Sequence, residues 1–143
     1  MQQGADAPTF YAGGVIMKYL CILIGSGTGG LARYLLSRGV CSLSPDFFPF
    51  GTLAVNLTGC FLIGLLSAFF ERWIISPELR LFIFTGFLGG FTTFSTFCLE
   101  SFHLLKGREI RLALLNLLAS NLLGLGMVLA GYITVQMIIK LHK

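Results

Sequence analysis

Apolar residues run along most of this chain in long blocks, without the alternation of a half-buried strand or the narrow stripe of a helix in water. Three blocks, 51–70, 81–99 and 112–139, contain no Lys, Arg, Asp or Glu. Each has the length of a membrane-crossing helix, about 20 residues at roughly 1.5 Å per residue. A weaker block, 19–36, holds Gly25-Ser26-Gly27-Thr28-Gly29-Gly30 and Arg33. It is read as a span too, because small residues let helices approach closely in lipid. The connections are short: 37–50 with Pro45 and Pro49, 71–80 with Pro77, and 106–111, a charged hinge. Short connections favour antiparallel neighbours, so the pattern predicts an all-α membrane protein of four transmembrane helices. Residues 1–16 read as a polar, Gly-rich N-terminal extension, expected to be disordered or to reflect an upstream start, with Met17 as a second plausible one. The membrane domain is then 17–143.

Composition strengthens this picture. Hydrophobic residues make up 55% of the 143 positions and charged residues 11%, against about 25% charged in ordinary soluble domains. An extracellular scaffold and a nucleic-acid binder are excluded, and lipid is the main partner of the surface. Cys21, Cys41, Cys60 and Cys98 form no CxxC pair and have no His at metal-ligand spacing, so neither a zinc site nor a disulfide framework is expected.

The net charge of +4 says little about substrate, since basic residues in a membrane protein gather in loops near headgroups. Its distribution says more. With four spans, Lys18, Arg72, Arg80, Lys140 and Lys143 fall on one side and Arg33, Arg38, Lys106, Arg108 and Arg111 on the other, five against five. The bias that normally sets orientation is absent. One reading is insertion in both orientations with assembly into an antiparallel dimer; the other is a shifted boundary or a buried arginine that does not count. A homodimer would also add helix faces to a bundle too small to enclose a path.

The third span contains Gly86-Phe87-Leu88-Gly89-Gly90-Phe91-Thr92-Thr93-Phe94-Ser95-Thr96-Phe97. Three glycines within five residues, followed by paired threonines, favour a break, whose freed carbonyls can ligate a small cation. Such a break must be buried in protein or line a cavity. The alternative is a Gly-rich packing face. Phe94 and Phe97, three apart, share a face if helix resumes, and their positive ring edges can attract a small anion; plain packing is the alternative. Ser95 and Thr96 hydroxyls can bond back to their own helix or reach a substrate. Asn56, with Thr52 one turn earlier, offers amide donors to an anion or to backbone. Asn116, Ser120 and Gly124 lie at steps of four on the last span, a polar stripe with a gap, and Asn121 lies off it. Arg33 and Glu100 are the charges closest to the membrane interior, placed to pair with each other, to face a vestibule or to snorkel.

The run Gly89 to Phe97 followed by Glu100, together with Gly51-Thr52-Leu53-Ala54-Val55-Asn56-Leu57 and the Gly-rich start with Arg33, closely resembles the CrcB/Fluc family of fluoride ion channels. The resemblance covers 17–143. It implies a dual-topology antiparallel homodimer with two fluoride pores and a structural Na⁺ at the dimer interface, in the cell inner membrane, exporting F⁻ passively to relieve its toxicity. It also implies roles: Phe94, Phe97 and Asn56 at the fluoride pore, and Thr52, Thr96, Asn116 and Ser120 along its polar track. Arg33 and Glu100 would be vestibule or structural residues, and the Gly89 and Thr92 carbonyls would hold sodium. Asn116 and Gly124 depart from the hydroxyl residues common in that track.

The main alternative is a four-span dual-topology proton-coupled exporter. That needs an acid inside the bundle, and Glu100 is the one candidate. A membrane redox enzyme would want paired cysteines near the surface, and an intramembrane hydrolase a base beside a serine; His103 and His142 lie at span ends. No enzymatic activity is expected.

Overall fold

A computed structural model describes residues 7–45 and 47–141, with side chains from Gly14 onward. Residues 1–6, Asp46, His142 and Lys143, and with them part of the expected extension and one charge of the topology count, lie outside the described residues.

Four helical stretches are long and apolar enough to cross a membrane: Gly14–Cys41, Phe50–Phe70, Pro77–Lys106 and Ile110–Leu141. They correspond to α1 (Ala7–Cys41), α2 (Phe50–Phe70), a composite third stretch, and α6 (Ile110–Leu141). The third stretch consists of α3 (Pro77–Arg80), a π-helical segment (Leu81–Leu88), α4 (Gly89–Phe91) and α5 (Phe94–Lys106). The four expected spans are present in order, each longer than the hydropathy pattern predicts or equal to it within a residue. Among the described residues, helical backbone runs from Ala7, so 7–16 is part of α1. Pro77, expected in a loop, starts a helix: Ser76 accepts a hydrogen bond from the Leu79 N–H at 3.2 Å, and proline suits the first helical position. The π-helical turns have no signature in the hydropathy pattern.

The charged hinge between α5 and α6 is a Schellman-type cap. The Glu109 N–H bonds the Leu104 carbonyl at 2.9 Å and the Arg108 N–H the Leu105 carbonyl at 3.0 Å. Arg108 has φ 64°, where glycine is the usual residue.

Backbone contacts at glycines bring the helices together. A Cβ on Gly25 would lie 2.7 Å from the Phe82 carbonyl oxygen and 2.8 Å from the Gly86 Cα, and one on Gly90 would lie 2.5 Å from the Ser26 carbonyl oxygen. Gly25 and Gly29 of the first span therefore face the third span, while Gly27 and Gly30 do not, and α1 is continuous. Gly64 meets the Val128 carbonyl and Gly131 the Phe61 carbonyl, so α2 and α6 touch in the same way along their length. The buried apolar set is small, with Val55, Ala68, Leu88, Phe91, Phe97, Ala113 and Val135 among its members, while many Leu and Ile side chains point outward. That surface is unsuited to water and suited to hydrocarbon.

Gly131→Ala is expected to lower stability by roughly 1–3 kcal/mol, because its methyl group has no space beside the Phe61 carbonyl. Gly126→Ala, with nothing within 4 Å of the added carbon, is expected to be neutral or mildly stabilising. Thermal unfolding in detergent compares them, and equal shifts would contradict the close packing of α2 and α6.

Candidate functional site

The helical ladder of the third stretch runs to Thr92, whose N–H and Oγ1 both bond the Leu88 carbonyl, at 3.2 and 3.0 Å. The chain then extends: Thr92 has φ −110°, ψ 118° and Thr93 φ −120°, ψ 110°. Two adjacent β-branched residues favour that conformation. The Thr93 N–H, which in an unbroken helix would bond the Gly89 carbonyl, bonds Asn56 Oδ1 at 2.9 Å. Asn56 Nδ2 donates in return to the Thr93 carbonyl at 3.4 Å. One amide on α2 thus takes both polar groups of the extended residue. Thr93 also caps α5, its Oγ1 accepting the Thr96 N–H at 3.3 Å and lying 2.9 Å from Thr96 Oγ1. The break expected within 86–97 falls at the threonines, and Gly86 and Gly90 serve packing against α1.

Helix resumes at Phe94, so Phe94 and Phe97 are neighbours, with ring centroids 5.8 Å apart and planes at 44°. Their environments differ: Phe97 is 6% exposed and Phe94 77%. Thr96, Gly89 and Thr92 are exposed as well, so the break borders a face of the bundle that the described residues do not cover. Gly89 has lost its helical donor there. Neutral carbonyl oxygens are hard ligands, a donor type that fits an alkali cation.

Two cavities lie near the site, one lined by Thr52 and the other by its hydrogen-bond partner Glu100. One, of about 410 Å³, is lined by Arg33, Arg38, Thr52, Thr93 and Thr96 among others. The other, of about 390 Å³, is lined by Glu100, His103, Glu109, Cys41 and Phe48 among others. Thr52 Oγ1 donates to Glu100 Oε1 at 2.7 Å, and Glu100 Oε2 is buried without a hydrogen-bond partner among the described residues. Arg33 and Glu100 do not pair with each other; they face different cavities, one basic and one predominantly acidic.

On α6, Asn116 is 1% exposed and donates to Ser101 Oγ at 3.0 Å. Ser101 donates to the Phe97 carbonyl at 2.8 Å, and Ser120 to Asn116 Oδ1 at 3.5 Å. Gly124 is buried against the Cys60 sulfur, and Asn121 bonds the Leu117 carbonyl of its own helix. Sequence reasoning missed Ser101; the available signal was its position one helical turn after Phe97. Thr93 was also not separated from Thr92 as the residue that Asn56 holds. The four cysteines are free thiols.

The fold and these polar groups at span depth define a multi-pass membrane protein with an uncharged break in its third span. A family model described as CrcB-like protein, Camphor Resistance (CrcB), matches residues 20–132. The chain is 45% identical over 122 residues to the fluoride-specific ion channel FluC of Desulforapulum autotrophicum, covering 85% of this chain and 98% of that one. It is 53% identical over 102 residues to the FluC of Geobacter sulfurreducens, covering 71% and 82%. With the FluC of Salinibacter ruber it shares 47% identity over 116 residues, covering 81% and 87%. The chain belongs to the CrcB family, whose named relatives are ion channels and not enzymes.

Asn56→Ala is expected to cost about 1–3 kcal/mol of stability, since it strands a backbone donor and acceptor away from water. Thermal unfolding in detergent measures it. An unchanged midpoint would mean that the break does not depend on this amide.

Proposed function

We propose that the chain is a fluoride-selective ion channel, passively exporting F⁻ from the cytoplasm through the inner membrane, with two pores in an antiparallel homodimer. The observation that carries this reading is the break at Thr92–Thr93, held by Asn56 and followed at once by Phe94 and Phe97. The names of the relatives support fluoride as the ion.

Fluoride is small and strongly hydrated, so a narrow path must replace its water with other donors. The basic cavity beside Arg33 draws the anion to the bundle, Thr96 and Ser120 supply hydroxyls, and Thr52 joins them only when its proton leaves Glu100. The Asn56 amide keeps donor capacity, because one N–H is spent on a long 3.4 Å bond and the other has no partner among the described residues. Ring edges of Phe94 and Phe97 then offer positive charge density without a full charge in hydrocarbon. Several weak sites permit exit as well as entry.

The exposed face at the break is the surface a second copy covers, and the balanced basic residues permit that copy to insert inverted. The Gly89 and Thr92 carbonyls from two copies would hold a sodium ion, which would supply a central charge tying them together. Lipid covers the outward Leu and Ile side chains.

The test is ion efflux from liposomes carrying the purified protein, read with a fluoride electrode beside a chloride control. Fast fluoride loss after addition of a potassium ionophore, without matching chloride loss, is the expected result. Phe94→Ile is expected to slow it by at least roughly tenfold, the loss of about 1.4 kcal/mol of stabilisation along the path. No fluoride loss from verified, folded dimer would overturn the reading and direct attention to Glu100 as a proton-coupling acid.

A further inference from the structure

The hydrogen bonds among Phe97, Ser101, Asn116 and Ser120 have a direction that the chemistry fixes. The Phe97 carbonyl only accepts, so Ser101 spends its one proton there, at 2.8 Å. Ser101 Oγ is left as an acceptor, and Asn116 must therefore turn its NH₂ toward it, at 3.0 Å. That orientation leaves Oδ1 facing Ser120, which donates across a long 3.5 Å. Ser101 and Asn116, 5% and 1% exposed, are thus committed to each other, whereas the Ser120 proton is loosely held and free to turn to another acceptor.

We propose that Ser101 and Asn116 form a brace between α5 and α6 that positions Phe97, and that Ser120 alone of this stripe donates to the passing anion. The proposal rests on the fluoride-channel reading for its effect on flux, but the brace itself is independent of the ion. It gives Asn116 a positioning role in place of a place on the polar track. The brace fits the short contact between these elements: Ser101 lies one turn beyond Phe97, so a pull on its hydroxyl is a pull on the turn that carries the ring.

The experiment pairs flux with a local probe. Ser101→Ala and Asn116→Leu are each expected to slow fluoride efflux roughly tenfold, and the double variant no further than the slower single, because both remove one linkage. Ser101→Thr, which keeps the hydroxyl, is expected to restore wild-type flux. In parallel, protein carrying 4-fluorophenylalanine at position 97 is examined by ¹⁹F NMR in lipid. Loss of either brace residue is expected to shift and broaden the resonance at 97, with the same label at 94 unmoved. Slow flux in Asn116→Leu with wild-type flux in Ser101→Ala would overturn the brace and return Asn116 to the ion path. An unmoved resonance at 97 in both variants would overturn it as well. If the wild type itself carries no fluoride, the functional reading fails, and the ¹⁹F spectra still decide on the brace.

Discussion

An extended residue in hydrocarbon must find partners for its own N–H and C=O, because no water is there to serve them. In this chain the residue is Thr93 and the partner is the side-chain amide of Asn56, which presents one acceptor and one donor at the spacing of a peptide group. Much else in the site depends on that exchange. It frees the Gly89 carbonyl, starts α5 at Phe94 and so places both rings, and sets Thr93 to cap the helix that carries Thr96 and Glu100.

The rest of the bundle makes the exchange geometrically possible. Asn56 reaches Thr93 because α2 and the third stretch lie close, with Gly59 of α2 packed directly against the Thr92 methyl group. On the other side, α1 meets the π-helical segment through Gly25 and Gly86 and meets α4 through Gly90. These contacts bring main chains together where lipid supplies no hydrophobic drive, so van der Waals fit and satisfied polar groups hold the spans. The same economy governs charge: Arg33 and Glu100 line separate cavities, and the polar and aromatic side chains at the break itself are amide, hydroxyl and phenyl groups.

The spans were legible in the sequence because 51–70, 81–99 and 112–139 lack charge altogether, and hydropathy averages over enough residues to be insensitive to detail. The break was legible as a neighbourhood and not as a position. Gly86, Gly89 and Gly90 carry the stronger composition signal, yet two of them are packing contacts, and the extension occurs at Thr92 and Thr93, where β-branching and a side-chain cap act together. Asn56 stood out as an amide in hydrocarbon, with anion and backbone both open as partners; its two bonds to Thr93 depend on how α2 docks, which periodicity does not encode. Ser101 was not legible, because a lone hydroxyl in a helix usually bonds its own backbone. Ser101 does so, and its acceptor side becomes meaningful only once α6 places Asn116 beside it.

On the proposed reading, the amide that closes the break is also the amide that meets the ion. This shared role is tested most directly by NMR of asparagine-labelled protein in lipid bilayers, following the Asn56 side-chain NH₂ through a fluoride titration with chloride as the control. The account predicts a saturable shift of the Asn56 resonances with fluoride and none with equal chloride. No response to fluoride, or an equal response to both halides, would contradict it.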